Sequence, residues 1–155
     1  MPDLHPDLEP LAFLIGTWKG RGRGEYPTIE PFEYTEEVVI GHTGRPFLRY
    51  DQRTRRPDSG DPLHAEVGFW RPGRPGRVEL IVAQPTGIAE VDEGILEGTS
   101  IRVRSRMVGL TRTAKPVSTV ERILRVEGDR MHYELLMGAM GRDHRLHLEA
   151  ALTRS

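Results

Sequence analysis

The feature that most constrains the fold of this sequence is a series of short segments in which apolar and polar residues alternate. Such alternation is typical of β-strands with one buried face, and Gly, Pro and Asp punctuate the segments. Strands are predicted at residues 34–42, 47–54, 63–71, 77–84, 88–93, 100–107, 119–126, 131–137 and 145–153, after a first strand marked by alternate glycines at 20–24. Only residues 7–16 (DLEPLAFLIG) have a helical pattern, of one or two turns ending at Gly16. Because no helix is long enough to connect parallel strands, we predict an antiparallel all-β fold.

A set of about ten antiparallel strands favours a closed barrel. An open sheet of that size would leave two unpaired edges, and closure removes them. A barrel of eight to ten strands has room for side chains or for one small ligand. The length of 155 residues fits one domain, so we expect residues 1–155 to form a single barrel. The segment 109–117 is predicted to be a loop near the barrel mouth.

The composition excludes several kinds of site. The chain has no cysteine, which rules out disulfides and thiolate chemistry. Its 22 basic and 23 acidic residues are interspersed and give a formal net charge of -1, which provides no electrostatic basis for nucleic-acid binding. The N-terminus lacks the pattern of a secretory signal, and no apolar run approaches the roughly 20 residues of a membrane helix. We therefore expect a cytoplasmic protein without nucleic-acid or membrane partners.

The local motifs do not define a site by themselves. The glycines at 20–24 lack the G-x-G-x-x-G spacing and the following helix of a phosphate loop. His144, His147 and Glu149 have the spacing of part of a metal site, but residues three apart on a regular strand point to opposite faces. The neighbouring acids at 36–37 and 92–93 also face opposite ways, so neither pair is expected to form a carboxylate dyad.

Several blocks of the chain resemble the nitrobindin family. The motif G-x-W-x-G-x-G is present as Gly16, Trp18, Gly20 and Gly22, and Y-P-T-I follows at 26–29. Similar blocks occur in the family's order at 62–71, 78–91, 113–122, 128–137 and 147–154. The resemblance covers nearly the whole chain. It implies a ten-stranded barrel similar to lipocalins and fatty-acid-binding proteins.

The resemblance also implies a cofactor and an activity. Nitrobindins hold one haem b per chain at the barrel mouth, and the ferric iron binds nitric oxide and isomerises peroxynitrite to nitrate. The family's iron ligand lies in an H-L-x-A-x-L pattern on the last strand, which assigns the proximal role to His147. Thr28 of the Y-P-T-I block is expected near the haem, and Lys115 is expected to reach a propionate. The expected partners are small molecules, and a homodimer is compatible with the fold.

The segment before His147 departs from the family pattern. Members often have G-Q-P-L-x-x-H, whereas this chain has Asp143 and His144 at the proline–leucine pair. His144 shares its strand parity with the apolar residues at 146, 148, 150 and 152, so simple alternation directs His144 inward and His147 outward. A bulge would reverse this. The resemblance favours His147 as the iron ligand, with His144 as the alternative.

Two other functions remain open from the sequence. The barrel would also suit a non-enzymatic carrier of a lipid or another apolar ligand, with Arg49, Arg53 or Arg122 as a counter-charge for the head group. An interaction domain without haem is the third hypothesis.

Overall fold

The fold is described from a computed structural model, which covers residues 2–26, 29–139, 141 and 144–155. It is a closed antiparallel barrel of ten strands, as predicted. The strands are β1 (Gly16–Tyr26), β2 (Ile29–His42), β3 (Leu48–Arg55), β4 (Pro62–Pro72), β5 (Arg77–Gln84), β6 (Ile88–Glu97), β7 (Ser100–Leu110), β8 (Val117–Glu127), β9 (Arg130–Ala139) and β10 (Arg145–Arg154). Each strand pairs with its neighbour in sequence, and β10 pairs with β1.

The strand predictions are confirmed, but three strands are clearly longer than expected. β2, predicted from residue 34, already begins at Ile29. β6 continues to Glu97, and β7 continues to Leu110. Gly109 and Leu110 were predicted to lie in a loop, and this is wrong. They extend the antiparallel ladder opposite Ala89 and Ile88, so only residues 111–116 connect β7 to β8.

A short helix closes one end of the barrel. Residues Pro6–Leu14 form a 3-10 helix, and its Leu8, Leu11 and Leu14 side chains are fully buried in the barrel core. The indole Nε1 of Trp18 donates a hydrogen bond of 2.9 Å to the Leu14 carbonyl, which fastens the helix to β1. Within the described part of the chain, no helix is long and apolar enough to cross a membrane.

The barrel interior contains two apolar clusters. The larger one packs against the helix and includes both tryptophans, Trp18 and Trp70. The smaller one lies where β1 and β9 end and β8 and β10 begin, at the end of the barrel that we call the mouth. We call it the mouth cluster; it consists of Val117, Val120, Leu135 and Ala139, with Tyr26, Ile88, Val108, Met137 and Leu148 packed against them.

The glycines of β1 allow the barrel to close. Gly20 is paired with Leu152 of β10 and Gly22 with Ala150. A Cβ atom added at Gly20 would lie 2.1 Å from the Ala151 carbonyl oxygen, and one at Gly22 would lie 2.4 Å from the Tyr34 ring. The close approach of β10 therefore gives these glycines a structural reason, as expected from a motif that lacks the spacing of a phosphate loop.

We expect Gly20→Ala to destabilise the barrel by about 1–3 kcal/mol, because the backbone of β10 would have to move away from β1. The free energy of unfolding measured by urea denaturation tests this. Gly41→Ala is the matched control, since a Cβ at Gly41 on β2 would meet no atom within 4 Å. Equal effects of the two substitutions would contradict the argument.

Candidate functional site

His147 is the extra residue of a β-bulge in the last strand. The ladder between β10 and β9 pairs Leu146 with Leu136 and Leu148 with Leu135, so His147 has no partner across the sheet. A bulge shifts the alternation by one position. Ala150 and Leu152 are therefore buried, while Leu146 is 38% exposed although it shares their parity.

The imidazole of His147 is oriented by β1. Its Nδ1 is within hydrogen-bonding distance of the Glu25 carbonyl oxygen, and its ring packs edge-on against Tyr26 with centroids 5.3 Å apart. A carbonyl oxygen only accepts, so Nδ1 carries the proton and Nε2 keeps a free lone pair. Burial lowers the pKa of His147 and the nearby His64 contributes in the same direction, against the opposing effect of the Glu25 hydrogen bond. The neutral imidazole, which is the form that binds metals, is thereby favoured.

His144 is held away from His147. Its Nδ1 lies 2.9 Å from the Thr119 hydroxyl, and its Nε2 lies 3.3 Å from a Glu121 carboxylate oxygen. Glu121 alternates with the buried Val120 and Arg122 and so lies on the outer face of β8. The inward orientation that simple alternation gives for His144 is therefore wrong, because the bulge lies between His144 and the apolar half of the strand.

The ring of Tyr26 contacts two predicted site residues that the structure describes, Lys115 and His147. The Lys115 ammonium lies 4.6 Å from the centroid of the Tyr26 ring, and His147 packs against the same ring. The Tyr26 hydroxyl is buried and has no hydrogen-bond partner among the described residues. Thr28, predicted near the cofactor, lies outside the described residues. Tyr26 belongs to the Y-P-T-I block of the sequence, but no role in the site was predicted for it.

A layer of charged groups lies below the mouth cluster. The buried Arg122 guanidinium donates to Glu66 at 2.7 Å and to Glu90 at 2.8 Å, and its Nε lies 3.6 Å from Asp92. On β8, Arg122 stands between Val120 of the mouth cluster and Leu124 of the larger core. We call Glu36, Gln52, Glu66, Glu90, Asp92 and Arg122, all buried, the polar layer.

The other part of the polar layer is a set of hydrogen bonds to the Glu36 carboxylate. Tyr133 donates to one Glu36 oxygen at 2.6 Å, and the Gln52 amide donates to the other at 3.0 Å. Sequence reasoning correctly rejected the pair at 36–37 as a dyad, since Glu37 faces outward to Lys19 at 3.4 Å. It missed the layer because these acids come from strands far apart in the sequence.

Burial raises the pKa of the polar-layer carboxyl groups Glu36, Glu66 and Asp92, and their neighbours decide whether the net shift is upward or downward. It raises the pKa of Glu36 to about 7, against the hydrogen bonds from Tyr133 and Gln52. Burial, with Glu90 alongside, raises the pKa of Asp92 to about 8. For Glu66 the effect of burial is outweighed by Arg122 and by His64, which hold its pKa well below the usual range.

His64 connects the polar layer to the mouth. It occupies an inward position near the start of β4, two residues before Glu66, and its side chain is 27% exposed. Its Nε2 lies 3.5 Å from a Glu66 oxygen. His64 was not among the predicted site residues, because a single histidine carries no spacing signal in the sequence.

None of the three arginines predicted as a counter-charge for a lipid head group is available for that role. Arg49 and Arg53 were predicted as possible counter-charges, and this is wrong, because both occupy exposed positions on β3. Arg122 lies inside, but Glu66 and Glu90 already neutralise it. The cavity beside the polar layer has a volume of about 40 Å³, which is room for two or three water molecules.

A further group of metal-binding side chains lies on the outer surface. The ligand atoms of His132, Glu134 and Glu149 are within 4.8 Å of one another. Arg23 already forms an ion pair of 2.8 Å with Glu149. The imidazole at the mouth has no such competitor among the described residues, so His147 is the better candidate metal ligand.

Fold and site together define a small β-barrel that offers a neutral imidazole at an apolar mouth. A family model described as THAP4-like, heme-binding beta-barrel domain matches residues 7–154. The chain therefore belongs to this family, and the resemblance to nitrobindins is confirmed.

Similar proteins match over nearly their whole length. Peroxynitrite isomerase 2 of Mycobacterium avium is 50% identical over 98% of this chain and 97% of its own. Peroxynitrite isomerase of Nocardia farcinica is 50% identical over 97% and 92%. The crystal structure of Rv2717c from M. tuberculosis has a TM-score of 0.95 and 46% identity, with 99% of both chains covered.

We expect Arg122→Met to cost about 3–5 kcal/mol of unfolding free energy at pH 7.5, because it leaves buried carboxylates without their cation. Urea denaturation measures the loss. Part of it should return at pH 5.5, where those carboxylates take up protons more readily. Arg102→Met is the control, since Arg102 forms an exposed ion pair of 3.7 Å with Glu121 and should change stability by at most about 1 kcal/mol.

Proposed function

We propose that the chain binds one haem b at the barrel mouth, with His147 as the axial ligand of a ferric iron, and isomerises peroxynitrite to nitrate. The observation that supports this best is the bulged His147, whose Nδ1 is engaged by Glu25, which leaves the lone pair on Nε2, and whose ring packs against Tyr26 of the mouth cluster. The full-length similarity to proteins named peroxynitrite isomerase points to the same activity.

The residues at the mouth fit the chemistry of haem. The mouth cluster supplies apolar side chains for the faces of the macrocycle. Lys115 supplies a cation suited to a propionate, and the buried Tyr26 hydroxyl is a donor without a partner among the described residues. The cavity beside the polar layer, with a volume of about 40 Å³, is far too small for the macrocycle, which favours binding nearer the rim.

The division of work between cofactor and protein follows from the reaction. Bound ferric haem would supply a Lewis-acidic iron at which the O–O bond of peroxynitrite is weakened. Peroxynitrite and nitrate have the same atoms and the same charge, so the protein needs no general acid or base. The work of this chain is to orient His147 through Glu25 and Tyr26 and to keep the imidazole neutral. Nitric oxide would be a further small ligand for the same iron.

A hemin titration tests the haem site. The wild-type protein should give a saturable Soret band at one equivalent of hemin, because each barrel offers one His147 imidazole with its Nε2 lone pair for the iron. His147→Ala should lose the band or shift it to that of weakly bound hemin. His144→Ala is the matched control and should leave it unchanged, since His144 is held by Thr119 and Glu121 on the outer face. A band that survives in His147→Ala and disappears in His144→Ala would reverse the assignment.

Stopped-flow decay of peroxynitrite tests the activity. The haem-loaded wild type should accelerate the decay and give nitrate as the product, whereas apo-protein and His147→Ala with an equal amount of hemin should not. Saturable hemin binding without faster decay would leave a haem protein and rule out the isomerase.

A further inference from the structure

The polar layer is an unusual way to fill a small barrel. Among the described residues, its interior has four buried carboxyl groups, of Glu36, Glu66, Glu90 and Asp92, and one buried guanidinium, that of Arg122. Burying charges costs free energy that apolar side chains of similar size would not cost. Stability alone therefore gives no reason for this layer, whereas an electrostatic effect on a neighbouring site would.

The layer lies directly below the proposed haem site. Glu36, Gln52, Glu66 and Arg122 line the small cavity together with Leu135 and Leu148. Leu135 and Leu148 belong to the mouth cluster, and Leu148 follows His147 in the chain. His64 extends the layer from Glu66 to the rim. One apolar shell therefore separates the charges from the mouth.

The layer carries an excess of negative charge. Glu66 and Glu90 bring two negative charges against the single positive charge of Arg122, and Asp92 tends to keep its proton. With a neutral His64 beside Glu66, one negative charge remains, and ionised Glu36 adds a second. Low-dielectric surroundings weaken such charges much less than water does.

We propose that the polar layer is a built-in counter-charge for the haem iron, which stabilises the ferric over the ferrous state, with Glu36 as its adjustable member. The inference rests on the proposed function, because it requires haem at the mouth. The ferric macrocycle carries one more positive charge than the ferrous one, so nearby negative charge lowers the reduction potential. Buried charge around the site is one of the means by which a protein sets that potential.

Glu36 is the adjustable member because some of the groups around it favour its ionised form and others oppose it. Tyr133 of β9, Gln52 of β3 and Arg122 of β8 favour its ionised form, whereas burial and Glu66 of β4 oppose it. Tyr34, on the same strand, reaches Glu36 only through the Tyr133 hydroxyl, to which it is hydrogen-bonded at 2.9 Å. These opposing contributions leave the pKa of Glu36 at about 7, so its charge changes near neutral pH.

The test is the reduction potential of the haem-loaded protein at pH 5.5 and pH 8.5, measured by spectroelectrochemistry on wild type, Glu36→Gln and Glu37→Gln. At pH 5.5 Glu36 is protonated and glutamine imitates it, so all three proteins should have the same potential. At pH 8.5 Glu36→Gln lacks a negative charge and should have the higher potential, with a several-fold to about tenfold smaller preference for ferric iron. Glu37→Gln makes the same charge change on the outer face of the same strand and should follow wild type.

A second variant covers the case in which Glu36→Gln does not fold. Tyr133→Phe removes the 2.6 Å hydrogen bond to the Glu36 carboxylate and should raise its pKa. The pH-dependent fall of the potential should then move to higher pH than in wild type, with the potentials equal again at pH 5.5. An unmoved pH dependence in Tyr133→Phe would overturn the inference.

The remaining outcomes separate this inference from the proposed function. If wild type gives no Soret band with hemin, both fail. A normal Soret band, with Glu36→Gln and wild type at the same potential at pH 8.5, would overturn the counter-charge alone. A change of equal size in Glu37→Gln would do so too, because it would show that any charge on β2 has the effect.

Discussion

The pairing of the first strand with the last is the constraint on which the rest of the structure depends. It closes the barrel, removes both sheet edges, and requires glycine where β10 crosses the backbone of β1. It also brings Glu25 and Tyr26 against His147, which follows them by more than 120 residues in the chain. The orientation of the candidate iron ligand is therefore a consequence of closure, and the site cannot form before the barrel does.

The interior is organised in levels along the barrel axis. At the closed end, apolar side chains and the 3-10 helix form an apolar core around Trp18. The polar layer follows, with Arg122 held between carboxylates, and the mouth cluster covers it on the other side. Each level is built from inward-facing residues of many strands. The register between the strands therefore sets the position of all three levels at once. This arrangement supports a ligand at the rim and leaves little room for one in the centre.

The sequence allowed the fold class, strand count and most strand limits to be predicted, because alternation and turn residues are local signals. The resemblance to nitrobindins directed attention to His147 and Lys115, which the structure brings to the same ring of Tyr26. The polar layer could not be predicted, because Glu36, Glu66 and Arg122 lie far apart in the sequence and become neighbours only through the register of the closed sheet. The outward position of His144 was equally hidden, since a bulge leaves no mark in a simple alternating pattern.

The bulge has a consequence for how this protein can change. A residue that makes no cross-strand pair contributes little to the ladder, so its side chain can be exchanged without disturbing the register on either side. The residue type at position 147 is thus less constrained by strand pairing than its neighbours are, while the direction of the side chain still depends on Glu25 and Tyr26 of β1. With His147 as the proposed iron ligand, another ligating side chain, such as cysteine, tyrosine or methionine, could stand at the same point without a change of register.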